Sequence, residues 1–401
     1  MSAAIRAHIN ILRALKRLMM FLVVFLPLIS CGKKYDEVKY QRIKAVNGSD
    51  TINIAVIWDK KVKDFLLVEG VTQAVDEINE KGGLFGRKFK IQVYYSENDA
   101  HEQTLAKKVA RDASIAAIIG HRSSANAIAA SVAYEYYGLL FVAPSASNNN
   151  LTNHGFEYTF RTIPSDRYVS KKIAVLMRWQ GHNKIAIIDD RGVYGKGLAD
   201  GVMESLADQG LNTVIRRHYT PATIDFKPLC AELARYDFDA IFIGGVLPKA
   251  ADFIREARQM GIKQRMYGAA AMDLRALERI AGDAAHGTAV STYFNPELDN
   301  PLTREFVINF TQRFGNPPEW RAALGYDSFK ILFEAMKLSK SAEPAVVASN
   351  MRFIKDWQGV AGSYTFNLQG DLVGKDSYFS YLDQNGFIYL NVPAEEKAKA
   401  D

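Results

Sequence analysis

From Ile52 to Ile57 the chain alternates and then runs apolar, which predicts a buried strand. Val71, Ala74, Val75 and Ile78 then share one face of a helix from about Leu66 to Lys81. Gly82-Gly83 stops that helix and Leu84-Phe85-Gly86 turns the chain. Phe89 to Tyr95 is a second strand, and a helix from about Glu102 to Asp112 leads into the stretch Ala117 to Asn148. That stretch reads as a strand ending at Gly120, a helix through Ala130, Val132, Ala133 and Tyr136, a stop at Gly138, and a wholly apolar strand from Leu139 to Ala143. Continuous apolar runs separated by helices mark buried parallel strands, so the order implies a right-handed doubly wound sheet with helices on both faces.

Past a polar, turn-like segment at Asn148–His154 and a short run at Tyr158–Thr162, the rhythm restarts. Strands are expected at Lys184–Ile188, Thr213–His218, Ala240–Gly244, Arg265–Tyr267 and Gly287–Tyr293. Helices between them cover Tyr194–Asp208, Pro228–Tyr236, Ala250–Met260 and Leu274–Ile280. Three more helices follow at Phe306–Phe314, Tyr326–Ser339 and Val347–Ile354. The tail, Tyr364–Phe366, Tyr378–Leu382 and Ile388–Leu390, reads as antiparallel strands turning at Asp383-Gln384-Asn385-Gly386. The pattern is that of two α/β units.

Both strands of the stretch 117–148 end in small hydroxyl residues: Ser123 and Ser124 after the first, Ser145 and Ser147 after the second. In an open parallel sheet, ligands bind beyond the carboxyl ends of the strands. Hydroxyls and free N–H groups at helix starts make a seat for a small anionic or polar group. The same serines would also be explained as helix caps alone.

The 401 residues, 48% hydrophobic and 23% charged, suffice for two domains. The net charge of +6 is largely an effect of the N-terminus: Arg6, Arg13, Lys16 and Arg17 stand in the first 30 residues without an acid, which leaves +2 elsewhere. The basic balance therefore gives no case for nucleic acid. Those basic residues precede an apolar run, Leu18 to Ile29, too short to span a bilayer, and then Ser30-Cys31. The arrangement resembles a bacterial lipoprotein signal, which implies cleavage before Cys31 and lipid on its thiol. A polar tether to about Asp50 would then hold the domain near a membrane. With Cys31 so used, Cys230 has no partner; it lies in an apolar helical pattern and is expected as a small core residue.

Enzyme signatures are missing from the sequence. There is no Gly-x-Ser-x-Gly elbow, no phosphate loop, and the seven histidines lack metal-ligand spacing. The glycines Gly192, Gly195 and Gly197 do not stand in dinucleotide-binding order. No catalytic residue, metal or cofactor is expected. His121, beside the serine stretch, is expected to support the site or to lie at the surface.

Six segments resemble the leucine/isoleucine/valine-type periplasmic solute-binding proteins of ABC importers, in that family's order. They are Gly70–Ile91, Ala117–Ala127, Leu139–Thr152, Phe160–Asp166, Lys184–Gly201 and Gly325–Leu332. The resemblance implies a type I periplasmic binding protein fold: two doubly wound α/β lobes joined by three hinge crossings, near Arg161-Thr162, Ser291-Thr292 and Trp357–Val360. Residues 1–30 would be a signal and 31–50 the tether. Residues 51–162 with 292–357 would form one lobe, and 163–291 with 358–395 the other. A small carboxylate-bearing solute, an amino acid or related acid, would be captured between the lobes and handed to a permease in the inner membrane, by a monomer held on the periplasmic side through Cys31. A ligand sensor and a periplasmic carrier of apolar molecules are the alternatives on the same fold.

Carried over by position, the family's carboxylate-binding groups fall on Ser123, Ser124, Ser145, Ala146 and Ser147, and its second-lobe aromatic falls on Tyr194. Tyr194 could equally pack on its own helix start. Trp58 either meets the ligand or packs against the lobe. The family's second tyrosine is replaced by Val246 or Leu247. Its acidic residue for the ligand's ammonium should stand near 269–271, where this chain has three alanines. Asp273 would replace it, or would only cap the helix at Leu274. The loop from Trp58 to Phe65 is short and lacks the family's Gly-Pro turn, which with Trp58 and Phe65 suggests a more apolar pocket.

Overall fold

The computed structural model describes residues 37–60, 66–272, 274–375 and 377–390. Helical residues 37–47 (α1) come first. The first unit follows as β1 (Thr51–Asp59), α2 (Leu67–Glu80), β2 (Lys88–Ser96), α3 (Asp99–Arg111), β3 (Ile115–Ile119), α4 (Ser124–Tyr137), β4 (Leu140–Ala143) and β5 (Thr159–Arg161). Its sheet is parallel throughout, in the order β2-β1-β3-β4-β5. Residues alternate across β1 as strand geometry requires. Ile52, Ile54, Val56 and Trp58 face a core shared with α2, whereas Ala55 and Ile57 face Val109 of α3 and Tyr134 of α4.

The second unit is α5 (Asp166–Trp179), β6 (Lys184–Asp189), α6 (Val193–Asp208), β7 (Asn212–His218), α7 (Lys227–Leu233), β8 (Ala240–Gly244), α8 (Lys249–Gln259), β9 (Arg265–Gly268), α9 (Leu274–Ala281) and β10 (Thr288–Thr292). Next come α10 (Pro301–Phe314), α11 (Trp320–Ser339) and α12 (Pro344–Met351), which return to the first unit, with α11 crossing α2. Backbones meet at that crossing: a Cβ on Gly70 would lie 2.0 Å from the Ala322 carbonyl oxygen, and one on Gly325 2.6 Å from that of Leu67. Short strands β11 (Trp357–Gly359), β12 (Gly362–Phe366) and β13 (Leu372–Val373) form a small sheet of their own. The hairpin β14 (Tyr378–Asp383) and β15 (Gly386–Leu390) then adds antiparallel to β10, completing the order β15-β14-β10-β9-β8-β6-β7. Cys230 lies in the core of α7, α8 and β8, the place its pattern indicated.

Mixed α/β architecture with two doubly wound sheets, the second extended by an antiparallel hairpin, therefore appears as expected. Two expectations are corrected. Residues 37–47 are not a polar tether but a helix laid on the first unit. Its Arg42 is 2% exposed and donates to the carbonyls of Tyr137 (2.9 Å), Asp112 (2.9 Å), Ile115 and Ala110. Val46 enters the core, and Arg87 donates to its carbonyl at 2.6 Å. The helix is held largely by a charged side chain satisfying backbone acceptors, which an apolar-period reading does not detect.

The last passage between the units also falls later than Trp357–Val360. The small sheet clings to the first unit: Asp327 of α11 accepts from Val360 N (2.8 Å), Ala361 N (2.9 Å) and the Tyr364 hydroxyl (2.7 Å), and Arg161 N donates to Gly370 O (3.0 Å). The chain joins the second sheet only at Tyr378.

Candidate functional site

The loops leaving β3 and β4 lie at the carboxyl end of the first sheet and meet the start of α6. Ser123 caps α4, its hydroxyl accepting from Asn126 N at 3.2 Å. Ser124 is 3% exposed, and its Oγ accepts from Asn148 N at 3.4 Å, which ties the first serine loop to the second. Ser145 donates to Arg122 O at 3.1 Å, Ala146 is buried, and Ser147 is 2% exposed. The fully buried Arg161 holds this turn, donating to Ser147 O and Asn148 O at 2.8 Å each while bonding Asp371 Oδ1 at 2.6 and 2.9 Å. Capping and loop–loop bonding thus account for Ser123 and Ser124, and the bonds of Ser124 and Ser145 draw the two serine loops together.

Across the cleft stands α6, whose N-terminus is preceded by Gly192. Asn148 Nδ2 donates to Val193 O at 3.1 Å, so the two lobes touch here. A Cβ on Gly197 would lie 2.7 Å from Asn148 Nδ2, so a side chain there would have to displace the Asn148 amide. Gly195 serves a different contact, with Gly244 O 2.4 Å from its Cβ position. In the cluster that fails as a dinucleotide fingerprint, the glycines stand where neighbouring groups come close: a carbonyl at Gly195 and a side-chain amide at Gly197.

Tyr194 packs against the main core, and burial pushes its phenol well above the usual range. The Tyr293 and Asp166 charges act in the same direction, while the Ala271 backbone and Arg321 oppose it. Tyr293, just beyond β10, is likewise raised by burial and by Asp166, with Arg161 and Arg321 opposing. Its ring meets Trp320 edge-on at 5.3 Å, and the Arg321 guanidinium lies 4.0 Å from the Trp320 ring centre. Arg321 also pairs with Glu319 at 3.1 Å. Tyr194, Tyr293, Asp166 and Arg321 therefore form one polar cluster between the lobes, next to the serine turn.

Asp166 is the residue that sequence reasoning missed. It opens α5, and its backbone N donates to Ser147 O at 2.8 Å. It is 2% exposed, and neither carboxylate oxygen has a hydrogen-bond partner. Burial pushes its carboxyl up to about 6; the Ser147 hydroxyl and the Arg161 charge pull the other way. The motif Phe160–Asp166 held the only available signal, and there an acid after Ser165 reads as an ordinary first-turn residue.

The remaining expected residues fall as follows. Trp58 is 2% exposed, inside the core with Leu67, in accord with packing. Val246 lies in the loop after β8, 37% exposed, with its backbone next to the Asp190 carboxylate. Asp273 and Cys31 lie outside the described residues. His121 is wholly buried between Glu102 Oε1 (2.7 Å) and the Tyr134 hydroxyl (2.8 Å), so it supports the serine loop from beneath rather than facing solvent.

A cavity of about 260 Å³ adjoins the cluster, lined by Arg275, Thr292, Phe294, Trp320, Phe387 and Tyr389. Another, of about 210 Å³, lies on the first lobe beside Glu77, Tyr326, Lys330 and Trp357. Among the described residues no group of three or more His, Cys, Asp or Glu side chains could hold a metal ion, and no described helix is long and apolar enough to cross a membrane.

Comparison with known proteins agrees with this fold. A family model described as periplasmic binding protein matches residues 66–386. The leucine-specific-binding protein of Salmonella typhimurium is 29% identical over 349 residues, covering 86% of this chain and 91% of the relative. The Leu/Ile/Val-binding protein of Escherichia coli is 30% identical over 314 residues, covering 76% and 82%. Among solved structures, an ABC transporter substrate-binding protein from Desulfitobacterium hafniense in complex with Leu is 32% identical. It has a TM-score of 0.77 and covers 85% of this chain and 100% of that one.

Proposed function

This chain belongs to the periplasmic binding protein family, a non-enzymatic family of solute-binding proteins, and on that premise we propose that it captures an amino acid or related small carboxylate between its lobes and delivers it to an ABC importer. The lipid on Cys31 and the permease in the inner membrane belong to the same proposal. Its monomeric state does too. One observation carries the reading: the serine turn of the first lobe directly apposes Tyr194 and the start of α6 in the second, through the Asn148–Val193 bond. N–H and O–H donors at that turn suit a carboxylate. Tyr194 covers it from the other side, and hinge closure would enclose the solute.

A thermal-shift screen of the purified protein tests this, using L-amino acids, their deaminated acids, aromatic acids and small lipids. A ligand of the folded state raises the melting temperature by mass action. Tyr194→Ala is expected to weaken the responding ligand about tenfold or more. Ser124→Ala should weaken it about three- to tenfold. The ligand-free melting temperature of each variant separates lost contact from lost fold. If both bind as the parent does, the solute does not sit at this turn.

A further inference from the structure

Arg161 links the serine turn to the small sheet with every donor it has. A guanidinium carries five N–H groups, and here they make five bonds. Nε and Nη2 donate to Asp371 Oδ1 at 2.9 and 2.6 Å, and Nη2 also reaches Thr152 Oγ1 at 3.3 Å. Nη1 donates to Ser147 O and Asn148 O at 2.8 Å each. The side chain is fully buried, and Asp371 supplies its countercharge. Ser147 O also accepts from Asp166 N at 2.8 Å, so one carbonyl of the serine turn is held from both lobes.

Asp371 stands outside that turn. It closes a tight turn between β12 and β13, in which Asn367 Oδ1 accepts from Gln369 N at 3.0 Å and from Asp371 N at 2.9 Å. Gly370 lets this turn sit on β5: its φ is +77°, and a Cβ there would lie 2.3 Å from Thr159 O. Its carbonyl accepts from Arg161 N at 3.0 Å. The backbone and the side chain of Arg161 are therefore both fixed by one turn of the small sheet. Arg161 ends β5, and the chain leaves the first unit directly after it for α5.

We propose that Asp371 is a positioning residue for the solute: acting through Arg161, it holds the Ser147 and Asn148 backbone in the geometry in which the serine turn receives a carboxylate. This rests on the solute-binding reading above and adds to it a residue that makes no bond to the turn itself. Donors already in place bind more tightly than donors that must first be ordered. Both bonds to Asp371 end on a single oxygen, so the arrangement needs an acceptor there. Asparagine can present that oxygen and alanine cannot.

Amide exchange of the free protein and calorimetric titration with the twenty L-amino acids and their amine-free acid analogues, each on the parent, Asp371→Asn and Asp371→Ala, test the assignment. Asp371→Ala is expected to speed exchange about tenfold or more over Ser147–Leu151 and at Asp166, while β6 and β8 exchange as in the parent. It should weaken the probe that the parent binds about tenfold or more, with Asp371→Asn within about threefold of the parent. A merely structural role would speed exchange in the small sheet and lower the urea midpoint, and would leave the serine turn and the affinity unmoved. Parent-like exchange at the turn, or parent-like affinity, in Asp371→Ala overturns the inference and leaves solute binding standing. Asparagine as damaging as alanine does the same, since charge rather than placement would then decide. A parent that binds none of these probes, and none of the aromatic acids and small lipids of the screen above, removes the solute-binding reading, and this inference with it. Should Asp371→Ala fail to fold, Asp371→Glu takes its place: it keeps the charge and shifts the acceptor by one methylene. The same loss of affinity is expected of it at an unchanged urea midpoint, and parent-like affinity overturns the proposal.

Discussion

Asp327 and Asp166 are both taken out of water, and the fold treats their carboxylates in opposite ways. Asp327, fully buried in α11, accepts two backbone N–H groups and the Tyr364 hydroxyl, and the charge of Lys375 favours its ionised form. That set of bonds ties the small sheet to the first lobe. Asp166, in the cleft, has no hydrogen bond on either oxygen. Burial raises both carboxyls, but only Asp327 has its full complement of donors. A satisfied buried carboxylate is part of the scaffold. An unsatisfied one at a lobe boundary carries an uncompensated cost of burial.

The largest effect that would break this contrast is on Asp327. Asp327→Ala strands the Val360 and Ala361 N–H groups and the Tyr364 hydroxyl. It is expected to cost about 3–5 kcal/mol, measured by urea unfolding. A loss below about 1 kcal/mol would mean that the small sheet is held by packing alone.

Next in size is the pH response of Asp166. Its carboxyl stands at about 6 in the folded protein against 3.8 ordinarily, so between those values the folded chain holds a proton that the unfolded chain has lost. Unliganded stability therefore falls as pH rises from about 4 through 6, by at most about 3 kcal/mol from this group. Melting curves of the parent minus those of Asp166→Asn isolate the term. A flat difference would mean the carboxylate is already compensated.

The smallest expected effect sharpens the comparison at the lobe boundary. Gly197→Ala places a methyl 2.7 Å from Asn148 Nδ2, a contact between opposite lobes that exists only when they meet. Affinity for the ligand found by titration should fall about tenfold while the urea midpoint of the free protein holds. An unchanged affinity would show that binding does not require this approach.

How much of this was legible beforehand differs by element. Strands β1, β3, β4 and β8 declare themselves as apolar runs, and the β14–β15 hairpin as a strand pair around Asn385-Gly386, where Asp383 pairs with Gly386. Ser123 is visible as a cap because capping is a local, short-range rule. Helix α1 is invisible for the converse reason. Arg42 reaches carbonyls some 70 and 95 residues away in sequence, and no local pattern encodes those acceptors. Asp166 is hidden in the same way: its local sequence reads as a helix start, and its burial is decided by Ser147, Arg161 and α6. That the passage between the units lies later than 357 is hidden as well, because the strand pattern at Tyr364–Phe366 does not show which sheet it joins.

Helix α1 has one more consequence, for the way the molecule would stand on a surface. Six peptide steps separate Cys31 from Glu37, the first described helical residue, and a chain of that length spans no more than about 20 Å. An acyl chain on Cys31 would therefore place one flank of the first lobe, the side carrying α1 and the ends of α3 and α4, close against the headgroups. Such a mooring is a short stalk rather than a long leash. It would limit how far the protein can swing, favour one lobe facing outward, and bias the angle at which a loaded molecule arrived at a transporter in the same membrane.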